Sequence, residues 1–348
     1  MKIIPANNYP DFYFHKAVYE LVDEKAGLKA FIAIHNDNLG AAVGGTRMFP
    51  YASDDEAISD VLRLSHSMSY KCALAGVNFG GGKAVIIGNP KLDKTPELLT
   101  SYAKGIDELR GAFYTGEDVG ISESDVQQML KTSPYFIGKS SFAGDPSPYA
   151  SLSTFYAIEK IAQLVWGNDD LSGKTVAVKG VGKVGSELVR LLSEKDAQVI
   201  IADLDPEAIK ATLSVCPNAR VVDSKEIAYL DVDIYAPCAM GNEFNKENLS
   251  SLKCKIICGA ANNQLSDSSM ALKLYKNGIT FVPDYVANAG GLINVADELE
   301  TGGYNKERVL QRISNIKNTI QNLWDLSRYQ GKSMHEVADQ LAEKIINK

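Results

Sequence analysis

The sequence is short of several things that would otherwise place it quickly. It has five cysteines and four histidines in 348 residues, and no apolar run approaches the roughly 18 residues that mark a membrane span. Cys72, Cys216, Cys238, Cys254 and Cys258 are odd in number and embedded in apolar stretches, which reads as buried free thiols rather than a disulfide framework. Cys254 and Cys258 stand in Cys-Lys-Ile-Ile-Cys without a neighbouring His or Cys to complete a ligand set, so no metal is expected. With His15, His35, His66 and His335 as the only histidines, a site of clustered histidines is not expected, and acid–base work falls to carboxylates and lysines. Positive charge is also scarce. Thirty-six Lys and Arg against 43 Asp and Glu leave a net charge of −7, which argues against nucleic acid, because a phosphate backbone calls for a basic face. Residues Met1 to Asn8 carry neither a signal peptide's apolar core nor an arginine-rich amphipathic pattern; a cytoplasmic chain without membrane contact is the expectation.

What is present is ordinary globular composition, 45% hydrophobic and 23% charged, in a length that suits two cores of about 100 to 200 residues better than one. The first half reads as α/β. Strand-like Ala17 to Val22, a polar turn and Ala30 to Ile34 form hairpin grammar, Ser53 with Glu56 opens a helix, and Thr95 before Pro96 opens another. A Ser, Gly and Pro-rich stretch, Ser140 to Pro148, reads as a crossing between domains. Beyond it strands alternate with helices: Thr175 to Lys179, a helix from Lys183, Gln198 to Ala202, Asp233 to Ala236, Lys255 to Gly259 and Thr280 to Pro283. Such alternation predicts a doubly wound parallel sheet. Val309, Ile313, Ile316, Ile320 and Leu323 line one face of a single long helix, and Ser333 with Glu336 starts a last one. The expected division is 1–140 for an N-terminal α/β domain and 141–324 for a Rossmann-type domain, with 325–348 returning to the first.

Gly180-Val181-Gly182-Lys183-Val184-Gly185 follows the strand Thr175 to Lys179 and opens a helix, the context that turns a weak glycine pattern into a dinucleotide motif. Gly180 permits the tight turn, Gly182 lets backbone approach a pyrophosphate, and Gly185 allows close helix-to-strand packing at a helix N-terminus with unpaired amides. Asp203 ends the next strand, where a carboxylate accepts ribose hydroxyls and repels a 2′-phosphate. Asp205 adds negative charge, and NAD is expected over NADP. The motif alone would also admit a flavin or an S-adenosyl group.

Lys71 and Lys83 flank an apolar stretch in which a lysine is costly to bury. The triplet Gly80-Gly81-Gly82 before Lys83 would let a substrate approach the backbone, and desolvation beside another cation would lower a lysine pKa toward the operating range. Asp118 follows in Gly116-Glu117-Asp118-Val119. Two lysines and an acid can bind a carboxylate, polarise a carbonyl and move a proton.

Here the sequence resembles the amino acid dehydrogenases acting on Glu, Leu, Phe and Val, with the leucine branch nearest. The resemblance spans nearly the whole chain and is carried by Gly44-Gly45-Thr46-Arg47-Met48, Lys71, Gly81-Gly82-Lys83, Gly116 to Val119, the dinucleotide motif, Ala236-Pro237-Cys238-Ala239, Ala260 to Leu265, and Pro283 to Val286 through Asn288 to Gly291. It implies an N-terminal substrate and oligomerisation domain, a homo-oligomer, and NAD-dependent, reversible conversion of an L-amino acid to its 2-oxo acid and ammonia. It implies that Lys71 binds the substrate carboxylate, that Lys83 polarises the carbonyl and activates water, and that Asp118 carries protons to and from the amino group. Asn262, Asn263 and Asn288 would orient substrate and nicotinamide, with Ala236 to Ala239 beside the cofactor. Val43, Gly44, Gly116, Leu292 and Val295 would surround the side chain of the substrate, an apolar wall that offers a carboxylate no partner.

The chain departs from the pattern in two places. Tyr149-Ala150-Ser151 stands where a threonine is expected, which would move a hydroxyl contact to Ser151. Gly116 stands where leucine enzymes commonly have alanine, and would enlarge the pocket by about one methyl that Leu292 takes back. A branched-chain substrate is expected, an aromatic one is the alternative, and a dinucleotide sensor without catalysis is a remote third reading that leaves Lys71, Lys83 and Asp118 without a purpose.

Overall fold

The structure is a computed structural model and describes residues 1–138, 142–239 and 241–348. Ser140 and Ser141 of the expected crossing, and the expected division between them, lie outside the described residues. The chain forms two compact α/β units, one of Met1–Asp145, Val295–Asn305 and Ala342–Lys348, the other of Pro146–Asn294 and Lys306–Leu341.

The first unit is built on β1 (Lys2–Ile3), β2 (Ala17–Asp23), β3 (Leu28–Asn36), β4 (Ala42–Phe49), β5 (Gly80–Ile87) and β6 (Phe113–Gly116), in the order β1-β2-β3-β5-β4-β6. The sheet is mixed: β1, β2, β3 and β5 pair antiparallel, whereas β4 pairs parallel with β5 and β6. Three helices accompany it, α1 (Asp54–Ala75), α2 (Pro96–Glu108) and α3 (Glu123–Met129). β3 is buried on both faces because its alternating side chains serve two cores. Ala30, Ile32 and Ile34 join Leu98, Tyr102 and Ile106 of α2, while Phe31 and Ala33 join Ile58, Val61 and Leu62 of α1. α1 starts where expected: the Ser53 side chain accepts from Glu56 N–H, three acids fill the first turn, and Gly76 ends the helix at φ 67°. Acids there complement the helix dipole, and the left-handed cap suits glycine.

The same packing gathers three histidines that lie far apart in the sequence, as part of the core. His15 before β2, His35 on β3 and His66 on α1 come together, with ring centroids 4.8 Å apart for His15 and His35 and 4.7 Å for His35 and His66. Tyr13 and Tyr70 flank them, and both phenols donate to Glu343, at 2.7 and 2.8 Å. Antiparallel pairing of Ala17 with Ile34 brings the first two together, and α1 lying across β3 adds the third.

The second unit carries β7 (Thr175–Lys179), β8 (Gln198–Ala202), β9 (Arg220–Val221), β10 (Ile234–Pro237), β11 (Ile256–Ile257) and β12 (Thr280–Phe281), all parallel, in the order β12-β11-β10-β7-β8-β9. The order reverses at β7, so the crevice outside the carboxyl ends of β7 and β10 is a topological switch point. The helices from residue 146 onward are α4 (Ser147–Trp166), α5 (Lys183–Ser193), α6 (Pro206–Val215), α7 (Ser269–Lys276), α8 (Asp284–Ala287), α9 (Gly290–Ala296), α10 (Lys306–Ser314), α11 (Ile316–Gln330) and α12 (Met334–Ile346), of which α9 and α12 end in residues of the first unit.

The C-terminal region differs from expectation in two respects. The single long helix is two, α10 and α11, separated at Asn315, whose amide divides between the carbonyls of Gln311 and Arg312. The predicted stripe is buried nonetheless. The return to the first unit begins at Ala342 rather than residue 325, and Val295–Asn305 also belongs there. The reason is packing: α11 lies against α4, Tyr285 donates to Asp339 of α12, and His335 packs on Phe281 with centroids 6.1 Å apart. Among the described residues no helix is long and apolar enough to cross a membrane.

Candidate active site

In the first unit the expected Lys83 and Asp118 meet. Lys83 lies mid-strand in β5 with its side chain 9% exposed, and its ammonium is paired with Oδ2 of Asp118. Asp118 follows β6, and β4 makes room for it. Gly45 pairs with Gly116, and a Cβ on Gly45 would lie 2.5 Å from the Glu117 carbonyl oxygen and 2.9 Å from Asp118 Cβ. Oδ1 of Asp118 accepts the Val119 N–H at 2.6 Å and lies 3.7 Å from Arg47 Nη2. Burial alone would raise the Asp118 carboxyl, but Lys83 and then Arg47 outweigh it and hold the group down at about 2. The group touching the Lys83 ammonium is thus a carboxylate, where the sequence had suggested a second cation. Lys71 is half-buried on α1, two residues past Ser69, whose backbone lies against Gly81.

The glycine triplet serves a different purpose from the one expected. Cβ atoms on Gly80, Gly81 and Gly82 would fall 2.1 Å from Asn36 O, 2.1 Å from Ser69 N and 2.7 Å from the Phe113 ring. The missing side chains admit the protein's own backbone and Phe113, not a substrate. Gly116 is similar: its Cβ would meet Ile137 O at 2.8 Å, so the absent methyl is a close approach between chain segments and the pocket-volume argument built on it fails. A Cβ on Gly44 would lie 1.9 Å from Gly82 O, and Val43 has no exposed surface. Val295 is half-buried, its Cγ1 3.9 Å from where a Gly138 Cβ would lie. Leu292 belongs to the second unit and is buried.

In the second unit the loop after β7 has the geometry its glycines require. Gly180 has φ 92°, and a Cβ there would meet Ala239 N at 2.7 Å; a Cβ on Gly185 would lie 1.9 Å from Gly180 O; around Gly182, at the start of α5, there is open space. Open space at the middle glycine, at the N-terminus of α5, is a cradle that a side chain would fill and a pyrophosphate fits. Asp203 is tied to this loop, accepting Val181 N–H on Oδ2 at 2.7 Å and Asp205 N–H on Oδ1 at 2.9 Å. Each oxygen keeps a lone pair for a ribose hydroxyl. Ala236 and Pro237 pair with Val178 and Lys179, and Cys238 N–H donates to Lys179 O at 2.7 Å, which sets Ala236 to Ala239 beside the loop.

Next along the switch-point edge, Asn288 is buried and donates through Nδ2 to Ala260 O at 2.9 Å and Asn262 Oδ1 at 2.7 Å, while its own Oδ1 is buried without a partner. A buried orphan acceptor here suits an N–H brought by a ligand. Asn262 and Asn263 are exposed, the latter with φ 53°. Ser151 does not join them. It is fully buried, and its hydroxyl is directed at Val184 O (2.7 Å) and Ser147 O (3.0 Å), which ties α4 to α5 instead of offering a contact to nicotinamide.

Two groups went unread in the sequence. Lys179, immediately before the loop, is held by both oxygens of Glu243 at 2.9 and 2.8 Å, and Tyr235 donates to the same carboxylate at 2.7 Å. Arg47, quoted above only as part of a motif, sits beside Asp118. Only the glycines preceding Arg47 hinted at a crowded, functional strand.

A switch-point crevice with a phosphate cradle on one sheet, and a buried lysine–carboxylate pair on another, define the class: a dehydrogenase that works with a nicotinamide dinucleotide. The match to known proteins narrows it. Residues 15–135 match the Glu/Leu/Phe/Val dehydrogenase dimerisation domain and residues 203–347 match Glutamate/Leucine/Phenylalanine/Valine dehydrogenase, and the chain belongs to this family of amino acid dehydrogenases. It is 41% identical over 343 residues to a leucine dehydrogenase of Bacillus subtilis, covering 98% of this chain and 93% of that protein. It is 42% identical over 344 residues to a phenylalanine dehydrogenase of Thermoactinomyces intermedius, covering 97% and 93%. The crystal structure of L-tryptophan dehydrogenase from Nostoc punctiforme superposes with a TM-score of 0.83 at 40% identity, covering 96% of each chain.

Proposed function

We propose that this chain catalyses the reversible oxidative deamination of an apolar L-amino acid, leucine or another branched-chain residue first, to the 2-oxo acid and ammonia with NAD. The observation that carries the reading is the buried pair of Lys83 and Asp118. Asp118, held ionised, accepts a proton from the substrate ammonium and so frees the nitrogen lone pair as hydride leaves Cα. Bound nicotinamide supplies the hydride acceptor. Lys83 then donates a hydrogen bond to the water that adds to the iminium carbon and stabilises the oxygen as it becomes a carbonyl. Asp118 returns its proton to the nitrogen; of the two protons of the added water, one passes to solvent as the carbinolamine forms and the other to the regenerated Asp118 carboxylate as the C–N bond breaks and the carbonyl closes, and ammonia leaves. Lys71 holds the substrate carboxylate, and Asn262, Asn263 and Asn288 orient substrate and nicotinamide. The match to a dimerisation domain supports a homo-oligomer, and the absence of a spanning helix among the described residues is in keeping with a cytoplasmic setting.

NAD is favoured because Asp203 would face a 2′-phosphate with a fixed negative charge. Asp203→Ser should raise the NADP to NAD efficiency ratio, and an unchanged ratio in a folded variant would remove Asp203 from the site. An aromatic substrate is the second reading, favoured by the similar identities to leucine and phenylalanine dehydrogenases, 41% and 42%. NADH formation measured across Leu, Ile, Val, Phe, Trp and Glu decides. Leu, Ile or Val should lead; preference for Phe or Trp selects the second reading, and no turnover with any of them leaves a dinucleotide sensor.

A further inference from the structure

Asp118 is not held by Lys83 alone. Arg47, on β4, reaches it from the other side, and Arg47 is itself anchored: Nη1 lies 2.9 Å from Oδ2 of Asp60 on α1, while Nη2 stands 3.7 Å from Asp118 Oδ1. The first distance is a hydrogen bond and the second is not, although an ion pair still acts over it. Asp60 is fixed in turn. Tyr51, in the connection from β4 to α1, donates to Oδ2 at 2.6 Å, and Arg63 Nη2 lies 3.3 Å from Oδ1. Burial, then the bond to Asp60, pushes the Tyr51 phenol up, so it stays a donor. The result is a row of alternating charge, Lys83, Asp118, Arg47 and Asp60, in which all side chains are 21% exposed or less.

We propose that Arg47 is a positioning residue for Asp118, anchored by Asp60 and Tyr51 so that it holds the carboxylate ionised through its field without taking an oxygen in a hydrogen bond. The proposal rests on the proton-carrying role assigned to Asp118 above. Its physical logic is a division of labour. A guanidinium free to close the gap would form a bidentate pair with Asp118 and compete with substrate nitrogen and Lys83 for its oxygens. No guanidinium would leave a buried carboxylate with one cation, and its proton affinity would rise. Asp60 draws Arg47 back to a distance that gives the field without the bond. A purely structural role, pinning β4 to α1, would alter stability and leave the proton chemistry unmoved.

The test is the pH dependence of kcat/KM for amino acid oxidation, followed by NADH formation. Enzyme kept at neutral pH is diluted into each assay buffer, and initial rates are read before acid unfolding intervenes. Arg47→Met should move the acid limb upward by about 1 to 3 pH units, the range for removing an opposite charge at this distance. Arg47→Lys should bring the limb back toward wild type. Asp60→Asn should lower kcat with the dinucleotide KM unchanged and the acid limb not raised, because the charge on Arg47 remains. An Arg47→Met limb at the wild-type position overturns the proposal. If that variant does not fold, Asp60→Asn with wild-type kcat overturns it equally. Asp118→Asn separates the two levels of argument: full turnover there would sink the site reading and this inference with it, whereas an inactive Asp118→Asn beside an unmoved Arg47→Met limb would sink the inference alone.

Discussion

Mild acid should weaken the first unit long before its carboxylates are protonated, and the perturbation worth making is a fall from pH 8 to pH 5. Burial is the main cause that lowers His15 to about 4, His35 to about 3 and His66 to about 4; for His35 the neighbouring rings add to it, and for His66 the Glu343 carboxylate offsets it only in part. The hydrogen bonds agree. Nδ1 of His15 already accepts Tyr13 N–H at 3.1 Å, and Nε2 points to Leu62 O at 3.0 Å, so a second proton would set two donors against each other. An unfolded histidine titrates near 6.5. These folded values are depressed, so the stability each group contributes is complete above that pH and is lost as pH falls toward the folded value. At pH 5 the folded rings are still neutral while about 97% of unfolded ones are charged, which costs about 2 kcal/mol per histidine whatever the folded value, provided it lies well below 5. Three such groups come to about 6 kcal/mol, a large part of the roughly 5 to 15 kcal/mol that holds a domain together. Urea unfolding followed by far-UV circular dichroism at pH 8, 7, 6 and 5 measures this. Below pH 6 the slope should correspond to uptake of about three protons on unfolding, and His66→Gln should remove about one of them. A midpoint that stays constant from pH 8 to pH 5, or a His66→Gln slope equal to wild type, would refute the reasoning.

Lys83→Ala and Asp118→Asn should each lower kcat by about two to four orders of magnitude with dinucleotide affinity nearly unchanged; half of wild-type turnover in either would cancel its role. Gly182→Ala has nothing within 4 Å to meet, so it should melt like wild type and bind the dinucleotide more weakly in a fluorescence titration. Gly185→Ala, with its Cβ 1.9 Å from Gly180 O, should lose stability first. Equal binding by wild type and Gly182→Ala would mean that no phosphate approaches there. Gly116→Ala should cost about 1 to 3 kcal/mol through contact with Ile137 O, read as a lower Tm with the Leu to Phe efficiency ratio unchanged; a shifted ratio at constant Tm would restore the pocket-volume argument.

What could be read from the sequence was whatever is local. The loop from Gly180 to Gly185 has its strand before it and its helix after it, so each glycine's task follows from spacing, and the structure gives all three the geometry foreseen. β7 and β8 likewise fall where the apolar runs put them. What failed depends on partners far away in the chain. A glycine says that a side chain is missing but not what fills the space, and at Gly81 and Gly116 the occupants are Ser69 and Ile137. Four histidines scattered through the sequence gave no sign that strand register would gather three of them. Arg47 meets Asp118 because Gly45 pairs with Gly116 across β4 and β6, and nothing in the spacing of those residues fixes that register.

The cost of the Lys83 and Asp118 pair is itself an argument about function. Removing two charges from water costs several kcal/mol per ion, and apolar residues of similar volume in place of such a pair commonly leave a protein as stable or more so. A sheet optimised for stability would hold aliphatic side chains at these positions, as β5 does at Ala84, Val85 and Ile86, all without exposed surface. Instead it keeps an ammonium in mid-strand, a carboxylate beside it, and a glycine at position 45 that leaves room for that carboxylate. A strand holds a side chain more rigidly than a loop does, and rigid placement is what proton transfer and oxyanion stabilisation require. Stability therefore explains the residues around the pair but not the pair. The proposed chemistry, at a carbon that bears nitrogen or oxygen, would account for both charges together, one to take a proton and one to meet a developing negative oxygen.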